Sequence, residues 1–322
     1  MALNPTDYAV ISQALIAATH EMGAKLIRSA YSTIVRDASD ASSALLDSDG
    51  QAVAQAELLI QQLGSLSATF GPCAEHHPVD TLVEGDFYIN NDPFHGGQHL
   101  PDVFIFSPIF FEGELMGFGA TVAHHIDIGG GAPGLNMGAR EIYQEGLIIP
   151  PSRYNVERDW NGGSFERLIA SNIRVPNQTI GDMNAQFAGN AIGAARVHQL
   201  CRKYGPEAVK ETMALLIDYS ERRMRAAIAE VPDGTFHGED MIDDDGLGGG
   251  PLTVRATVTI NGDETAVDFE GTSDQIASNM NSPFASTVSA AIGCVKAALT
   301  SPDIPYNAGI TRPVTVTAPY GS

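Results

Sequence analysis

The chain has 322 residues, 43% of them hydrophobic and 18% charged, so it is long enough for about two domains and apolar enough to bury a sizeable core. Its formal net charge of −21, from 39 acidic and 18 basic residues, repels phosphate backbones and anionic lipid. No apolar run reaches the ~18 residues that a membrane-spanning helix needs, so we expect no nucleic-acid and no membrane partner.

The cysteines and the N-terminus indicate the cellular compartment. Cys73, Cys201 and Cys294 are odd in number and far apart, which favours buried free thiols in a reducing environment over a disulfide framework. The first residues, MALNPTDYAVIS, lack the basic-then-apolar pattern of a secretion signal. We therefore predict a cytoplasmic protein.

The first half of the chain predicts helices mixed with antiparallel strands. Helices are expected over residues 6–30, capped by Thr6, and over residues 58–75. Strands are expected in SSALLDSDGQAVAQA, which reads as two short strands around a turn, and in GDFYINND. The segment DVFIFSPIFFEGELMGFGATVAHHIDIGG predicts a hairpin whose turn is Glu112-Gly113.

The second half opens with a glycine- and proline-rich loop, residues 129–155, of a length that usually indicates a functional role. Two helices are expected next, over residues 180–204 and from Pro206 onward. A hairpin through Asn261-Gly262 and a last helix at 285–299 complete the pattern. The fold class predicted is α+β, with mixed β-sheets and packed helices. The domains expected are 1–178 and 179–322, with one large domain as the alternative.

The stretch NNDPFHGGQHLPDVFIF, residues 90–106, places several potential metal ligands directly before an apolar strand. Pro101 disfavours helical geometry between His99 and Asp102, and the following strand anchors the segment in a sheet. Antiparallel pairing about the Glu112-Gly113 turn places His124 opposite position 101, between His99 and Asp102. Because side chains alternate along a strand, only one of His124 and His125 can join these residues.

Two imidazoles and a carboxylate on rigid backbone suit a catalytic divalent cation, and Zn²⁺, Mn²⁺ and Fe²⁺ all accept that mixture. The alternative interpretation is a polar turn at a strand end with coincidental histidines. Asp92, His95 and Asp127 are candidates for orienting the ligand imidazoles. The sequence thus predicts one divalent metal site in the first domain.

Six segments occur in the order typical of one family: NDPFHGGQHLPDV, AHHIDIGG, EIYQEGLIIPP, VPDGTF, VDFEGTSDQ and YNAGITRPVTV. From residue 6 onward the chain resembles the hydantoinase B/5-oxoprolinase family. This family includes N-methylhydantoinase and caprolactamase β subunits and related subunits of acetone and acetophenone carboxylases. The resemblance is specific to the family and not to a substrate.

The resemblance implies a ligand set and a partner. Within the family motifs, His99, Asp102 and His124 correspond to metal ligands, and an upstream aspartate corresponds to a fourth. Asp40 is the best match for that aspartate and Asp37 the second choice. The implied partner is a hydantoinase A-type polypeptide that binds ATP and activates the substrate. Family members commonly exceed 500 residues, so we expect either a fragment or a split subunit whose fold a second polypeptide completes.

The leading hypothesis is a metal-dependent subunit of an ATP-dependent cyclic amide hydrolase acting on hydantoin, lactam or 5-oxoproline rings. Metal-bound hydroxide would attack the activated carbonyl, with Asp127 or His125 as general base or proton shuttle. The loop 129–138 would close over the ring, with Arg140 or Asn136 binding a polar group. The alternatives are a subunit of an ATP-dependent ketone carboxylase and a non-catalytic docking subunit.

Overall fold

The computed structural model describes residues 3–56 and 58–322, and it contains two β-sheets flanked by helices. The helices are α1 (Pro5–Ser29), α2 (Thr33–Arg36), α3 (Ile60–His76), α4 (Ser164–Asn172), α5 (Pro176–Tyr204), α6 (Pro206–Ile228), α7 (Phe284–Leu299) and α8 (Ala308–Thr311). The strands are β1 (Ala41–Leu46), β2 (Ala52–Ala56), β3 (Asp86–Asn90), β4 (Asp102–Phe111), β5 (Glu114–His124), β6 (Ser152–Asn155), β7 (Gly234–Ile242), β8 (Leu252–Asn261), β9 (Glu264–Asp268) and β10 (Val314–Thr317). The predicted α+β class is confirmed.

Helix α1 begins one residue earlier than predicted, and its cap differs. The side chain of Asn4 accepts a hydrogen bond of 2.9 Å from the backbone N–H of Asp7, and Pro5 occupies the first turn. Asparagine is a strong N-cap, and proline is favoured in the first turn because its missing N–H has no partner there anyway. The prediction that Thr6 caps the helix is therefore wrong.

The larger sheet has six strands in the order β2-β1-β5-β4-β3-β6, and all of its neighbours are antiparallel. Helices cover both faces. Phe104 and Phe106 of β4 pack in one cluster with Phe70 of α3, whereas Val103 and Ile105 pack in another with Met183 of α5. Burial on both faces explains why β4 is apolar without alternation.

The hairpin β4–β5 confirms the predicted turn but shifts the predicted register. Glu112 and Gly113 adopt positive φ angles of 51° and 86°, as a two-residue hairpin turn requires. A β-bulge lies between Ile109 and Phe110, and beyond it Asp102 pairs with His124. One extra residue on a bulged strand moves all later pairings by one position. The pairing predicted between position 101 and His124 is therefore wrong by one residue.

The smaller sheet has the order β10-β9-β8-β7, with β9 and β10 parallel and the other neighbours antiparallel. Ile260 of β8 and Val314 of β10 form one cluster with Leu63 of α3, Met224 of α6 and Ile292 of α7. Helices α3 and α7 therefore lie between the two sheets and join them.

The remaining expectations have mixed outcomes. The helices expected at 58–75, at 180–204, from Pro206 onward and at 285–299 are present, whereas α2, α4, α8, β6, β7 and β10 are additional. Cys73 and Cys201 are buried free thiols as predicted, but Cys294 is exposed. The division between residues 178 and 179 stays a prediction. Within the described residues, none of the helices has the length and hydropathy that a bilayer span requires.

Candidate metal centre

Three strand ends of the larger sheet meet where the candidate ligands lie. Asp102 begins β4 and His124 ends β5, and the two are paired across the sheet. Asp40 directly precedes β1, and its carbonyl accepts a hydrogen bond of 3.0 Å from the backbone N–H of His124. Adjacent antiparallel strands thus hold these three residues side by side on rigid backbone.

His99 reaches the same place from the turn that precedes β4. Its backbone carbonyl accepts a hydrogen bond of 3.0 Å from the N–H of Asp102. The Nε2 atom of His99 lies 3.3 Å from Oδ2 of Asp102. The centres of the His99 and His124 rings are 4.8 Å apart. The structure therefore brings together all four predicted ligands: Asp40, His99, Asp102 and His124.

The alternation of side chains explains why His124 joins this group and His125 does not. His124 lies on the same sheet face as Val122, which packs towards α3. His125 points to the opposite face, where its ring is fully buried and its Nε2 lies 3.0 Å from Oε1 of Gln186 on α5. Only one imidazole of the pair can face the cluster, as predicted.

The members of the cluster differ in the direction and the cause of their pKa shifts. Burial, together with the nearby charge of Asp102, raises the pKa of Asp40 to about 6. Burial lowers the pKa of His124 to about 4, which keeps this imidazole neutral near pH 7 and free to donate a lone pair. Burial opposes a charge on His99 as well, but the Asp102 carboxylate outweighs it, and the pKa of His99 is raised.

The donor set suits a divalent cation. Nδ1 of His124 and Oδ1 of Asp102 are buried without a hydrogen-bond partner, a costly state that coordination would relieve. Two ligands of a tetrahedral cation at about 2.1 Å are about 3.4 Å apart, close to the observed distance between His99 and Asp102. As the side chains stand, no group of three or more His, Cys, Asp or Glu in residues 3–56 and 58–322 meets the geometry of a metal site. His99 and Asp102 instead contact each other directly.

A cavity of about 440 Å³ opens in front of the cluster, a volume suited to a small molecule. Asp40, His99 and Asp102 line it, and His124 lies behind them. The other walls come from the start of α3, from the loop at 134–136 and from residues 279–283. The side-chain amide of Asn279 donates through Nδ2 to the backbone carbonyl of Asn136 at 3.3 Å, which ties two of these walls together.

The two predicted acid–base residues lie away from the cavity. His125 is on the far face of the sheet, and its pKa is lowered by burial. The Asp127 carboxylate accepts hydrogen bonds from the Gly129 N–H at 3.0 Å and from the Arg174 guanidinium at 2.9 Å. These contacts indicate structural roles, and catalysis by either residue stays a prediction.

Of the residues predicted to support the site, some line the cavity and others do not. Asp92 holds the ring of His95 at 2.9 Å, and neither residue lines the cavity. Of the loop residues, Asn136 lines the cavity and Arg140 does not.

Two contributors were not predicted. Gln62 is buried, and its Nε2 donates to Oδ1 of Asp40 at 2.9 Å, which fixes that carboxylate. Glu145 lines the cavity and lies close enough to His99 to affect its pKa. Gln62 belongs to a helix distant in sequence from the motif, so only the fold reveals its role. Glu145 lies within EIYQEGLIIPP, one of the six family segments, and this position was the sequence signal that could have identified it as a site residue.

The chain matches the protein family described as Hydantoinase B/oxoprolinase over residues 4–322. It is 33% identical to a putative D-/L-hydantoinase B-type subunit of Pseudomonas sp. (strain NS671), in a match that covers 99% of this chain and 56% of that protein. The chain spans about half of the length of the curated relatives that it matches.

Two solved structures are similar in fold. The ATP-dependent caprolactamase of Pseudomonas jessenii superposes with a TM-score of 0.90 at 33% identity, and the match covers 100% of this chain and 55% of that one. Nucleotide-free acetone carboxylase gives a TM-score of 0.84 at 21% identity, covering 97% of this chain and 43% of that one, which shows a shared fold alone.

Proposed function

Because the chain belongs to the hydantoinase B/oxoprolinase family, we propose that it is the subunit of an ATP-dependent cyclic amide hydrolase in which the ring is opened. The observation that carries this proposal is the convergence of Asp40, His99, Asp102 and His124 beside a cavity of about 440 Å³. Relatives named as a hydantoinase and a caprolactamase support the choice of cyclic amides.

Asp40, His99, Asp102 and His124 would hold one divalent cation, with Zn²⁺ and Mn²⁺ as the leading candidates and Fe²⁺ as a third. When bound there, the cation supplies a Lewis acid that makes water acidic enough to attack a carbonyl carbon near neutral pH. Gln62 keeps the Asp40 carboxylate oriented through its hydrogen bond of 2.9 Å. The loop at 134–136 and residues 279–283 enclose the ring and exclude bulk water from it.

The proposed reaction needs a second polypeptide. The hydantoinase relative is named as one subunit of its enzyme, and the caprolactamase is named as ATP-dependent. A partner of the hydantoinase A type would bind ATP and activate the amide before it reaches the cavity. A further polypeptide that completes the longer family fold is part of the same proposal.

Elemental analysis of the purified chain tests the site. We expect about one divalent cation per chain in the wild type and its loss in His99→Ala. His95→Ala is the matched control, because His95 belongs to the same motif but pairs with Asp92 outside the cavity. Equal metal content in His99→Ala and His95→Ala would refute the ligand assignment.

A turnover assay tests the reaction class. With the ATP-binding partner present, we expect ATP-dependent release of an amino acid from a cyclic amide and no such release by either polypeptide on its own. Turnover of the partner alone at the full rate would favour a docking role for this chain.

A second candidate function is a subunit of an ATP-dependent ketone carboxylase. It is favoured by the fold shared with acetone carboxylase. The same cluster would then hold an enolate oxygen beside the carboxyl donor. Incorporation of labelled bicarbonate into a ketone product, without release of an amino acid from a cyclic amide, would select this function over the hydrolase.

A further inference from the structure

The cavity is lined by more acidic side chains than basic ones, and its basic side chain, His99, already lies 3.3 Å from the carboxylate of Asp102. Asp40, Asp102 and Glu145 contribute three carboxylates to its walls, and among the lining residues that the structure describes there is no lysine and no arginine. A divalent cation would offset two of the three negative charges. The cavity is therefore anionic with or without a bound metal.

The remaining walls are uncharged. Asn136 and Asn279 offer amide groups, while Leu135 and Met280 offer apolar surface. The Oδ1 atom of Asn279 is buried and has no hydrogen-bond partner. Such walls suit a ring that combines a polar amide with methylene groups.

Resting on the proposed function, we infer that this site takes lactam rings without a negatively charged substituent and rejects rings that carry a carboxylate. A carboxylate on the ring would enter an anionic cavity in which no guanidinium or ammonium group is available to pair with it. A phosphoryl group added during activation has the cation as its counter-charge, but that cation cannot also neutralise a second anion at another ring position.

Three small ligands separate charge from size. The rings of 2-pyrrolidinone and 5-oxoproline differ by one carboxylate, and the amide of 5-oxoproline keeps the size of that group without its charge. The Kd of each is measured by ligand-observed NMR with the Zn²⁺-loaded chain. We expect 2-pyrrolidinone and the amide to bind with similar Kd values and 5-oxoproline to bind at least tenfold more weakly.

Ionic strength provides a readout that a steric effect would not change. Repulsion between charges weakens as salt is added, so the Kd ratio of 5-oxoproline to its amide should fall as NaCl rises from about 0.05 to 0.5 M. A ratio that does not change with salt would assign the discrimination to shape and overturn the inference.

A matched pair of variants tests whether the lack of an arginine or lysine on the cavity wall causes the discrimination. Met280→Arg adds a guanidinium to a cavity wall at a half-exposed side chain, and we expect it to bring the Kd of 5-oxoproline to within about threefold of that of its amide. Leu168→Arg adds the same charge to the exposed surface of α4, away from the cavity, and should leave the ratio at its wild-type value.

The outcomes separate this inference from the proposal beneath it. Binding of 5-oxoproline as tightly as its amide by the wild type would overturn the inference and leave the proposed function intact. Binding of none of the three rings would overturn the proposed function and the inference together.

Discussion

At the level of single residues, the two aspartates proposed for the fourth ligand position have different surroundings. Asp40 lines the cavity and is held by Gln62, whereas the Asp37 side chain is largely exposed and pairs with Arg36 at 3.0 Å. Asp37 precedes Asp40 by three residues and lies at the end of α2, outside the sheet. The structure therefore favours Asp40.

Paired substitutions test this choice. Asp40→Asn removes a charged ligand, and we expect it to weaken metal binding about 10- to 100-fold, measured by competition with a chromogenic chelator. Asp37→Asn should change the metal Kd less than twofold, because its carboxylate reaches only Arg36. The opposite ranking would place Asp37 at the metal.

Asp86 gives a prediction about pH and stability. Although burial disfavours its charge, hydrogen bonds from Val83, Asn155 and Arg153 lower its pKa below the ordinary 3.8. A lowered carboxyl pKa adds stability that is present above about pH 3.8 and is lost as the pH falls through the lower, folded-state value.

We expect Asp86→Asn to lower the free energy of unfolding by about 2 kcal/mol at pH 7, from the loss of charged hydrogen bonds. The difference from wild type should shrink as the pH is lowered below about 3.8. Urea unfolding at several pH values measures it, with the exposed Asp80→Asn as control. A difference that grows towards low pH would contradict the assignment.

At the level of elements, two glycines of α3 differ in their surroundings. A Cβ at Gly64 would lie 2.9 Å from the Cα of Ser289 on α7, and the Gly64 N–H donates to the Ser289 hydroxyl at 3.0 Å. A Cβ at Gly71 would meet nothing within 4 Å. The first glycine permits α3 and α7 to touch, whereas the second precedes Pro72 inside the helix and touches no other element.

We expect Gly64→Ala to destabilise the protein by about 1–3 kcal/mol, because the new methyl group meets backbone. It should also weaken ligand binding, since α7 directly follows the cavity wall at 279–283. Gly71→Ala should change the free energy of unfolding by less than about 1 kcal/mol, because crowding against the ring of Pro72 opposes the gain in helix propensity. Chemical denaturation measures the free energy of unfolding of both variants. Equal effects would show that α7 is not held by this contact.

The limits of sequence reasoning are visible in the hairpin β4–β5. Alternation and the Glu112-Gly113 turn predicted the hairpin and the approach of His124 to Asp102, since both depend on local geometry. The bulge was not predictable, because it depends on a neighbouring strand. Gly117, which directly follows the extra residue Met116 on β5, is so close to β1 that a Cβ there would lie 2.1 Å from the Leu46 carbonyl oxygen.

The other unpredicted elements share a physical cause. Strand β7 is exposed along almost its whole length, so no apolar alternation identifies it. Helix α4 is short, with only Phe165 and Ile169 buried. The four candidate ligands, in contrast, were found because strand pairing and family motifs indicate the same place.

At the level of the whole molecule, the net charge of −21 makes self-repulsion a property of the fold. We expect the Tm to rise by about 2–4 °C when NaCl is raised from about 0.02 to 0.3 M, because screening weakens repulsion among exposed carboxylates. Scanning calorimetry measures this, with glucose at equal osmolarity as control. A fall in Tm would mean that ion pairs outweigh the repulsion.

The bulge in the hairpin lies between its turn and the candidate metal ligands, and the number of residues of β5 between the bulge and His124 decides which imidazole faces the cavity. Removing one residue of β5 between Gly117 and His124 would bring His125 opposite Asp102 in place of His124. His125 would thus take the place of His124 after such a deletion. A deletion of one residue there would leave this strand end with a nitrogen donor, whereas an insertion of one residue would bring Ala123 to the same position.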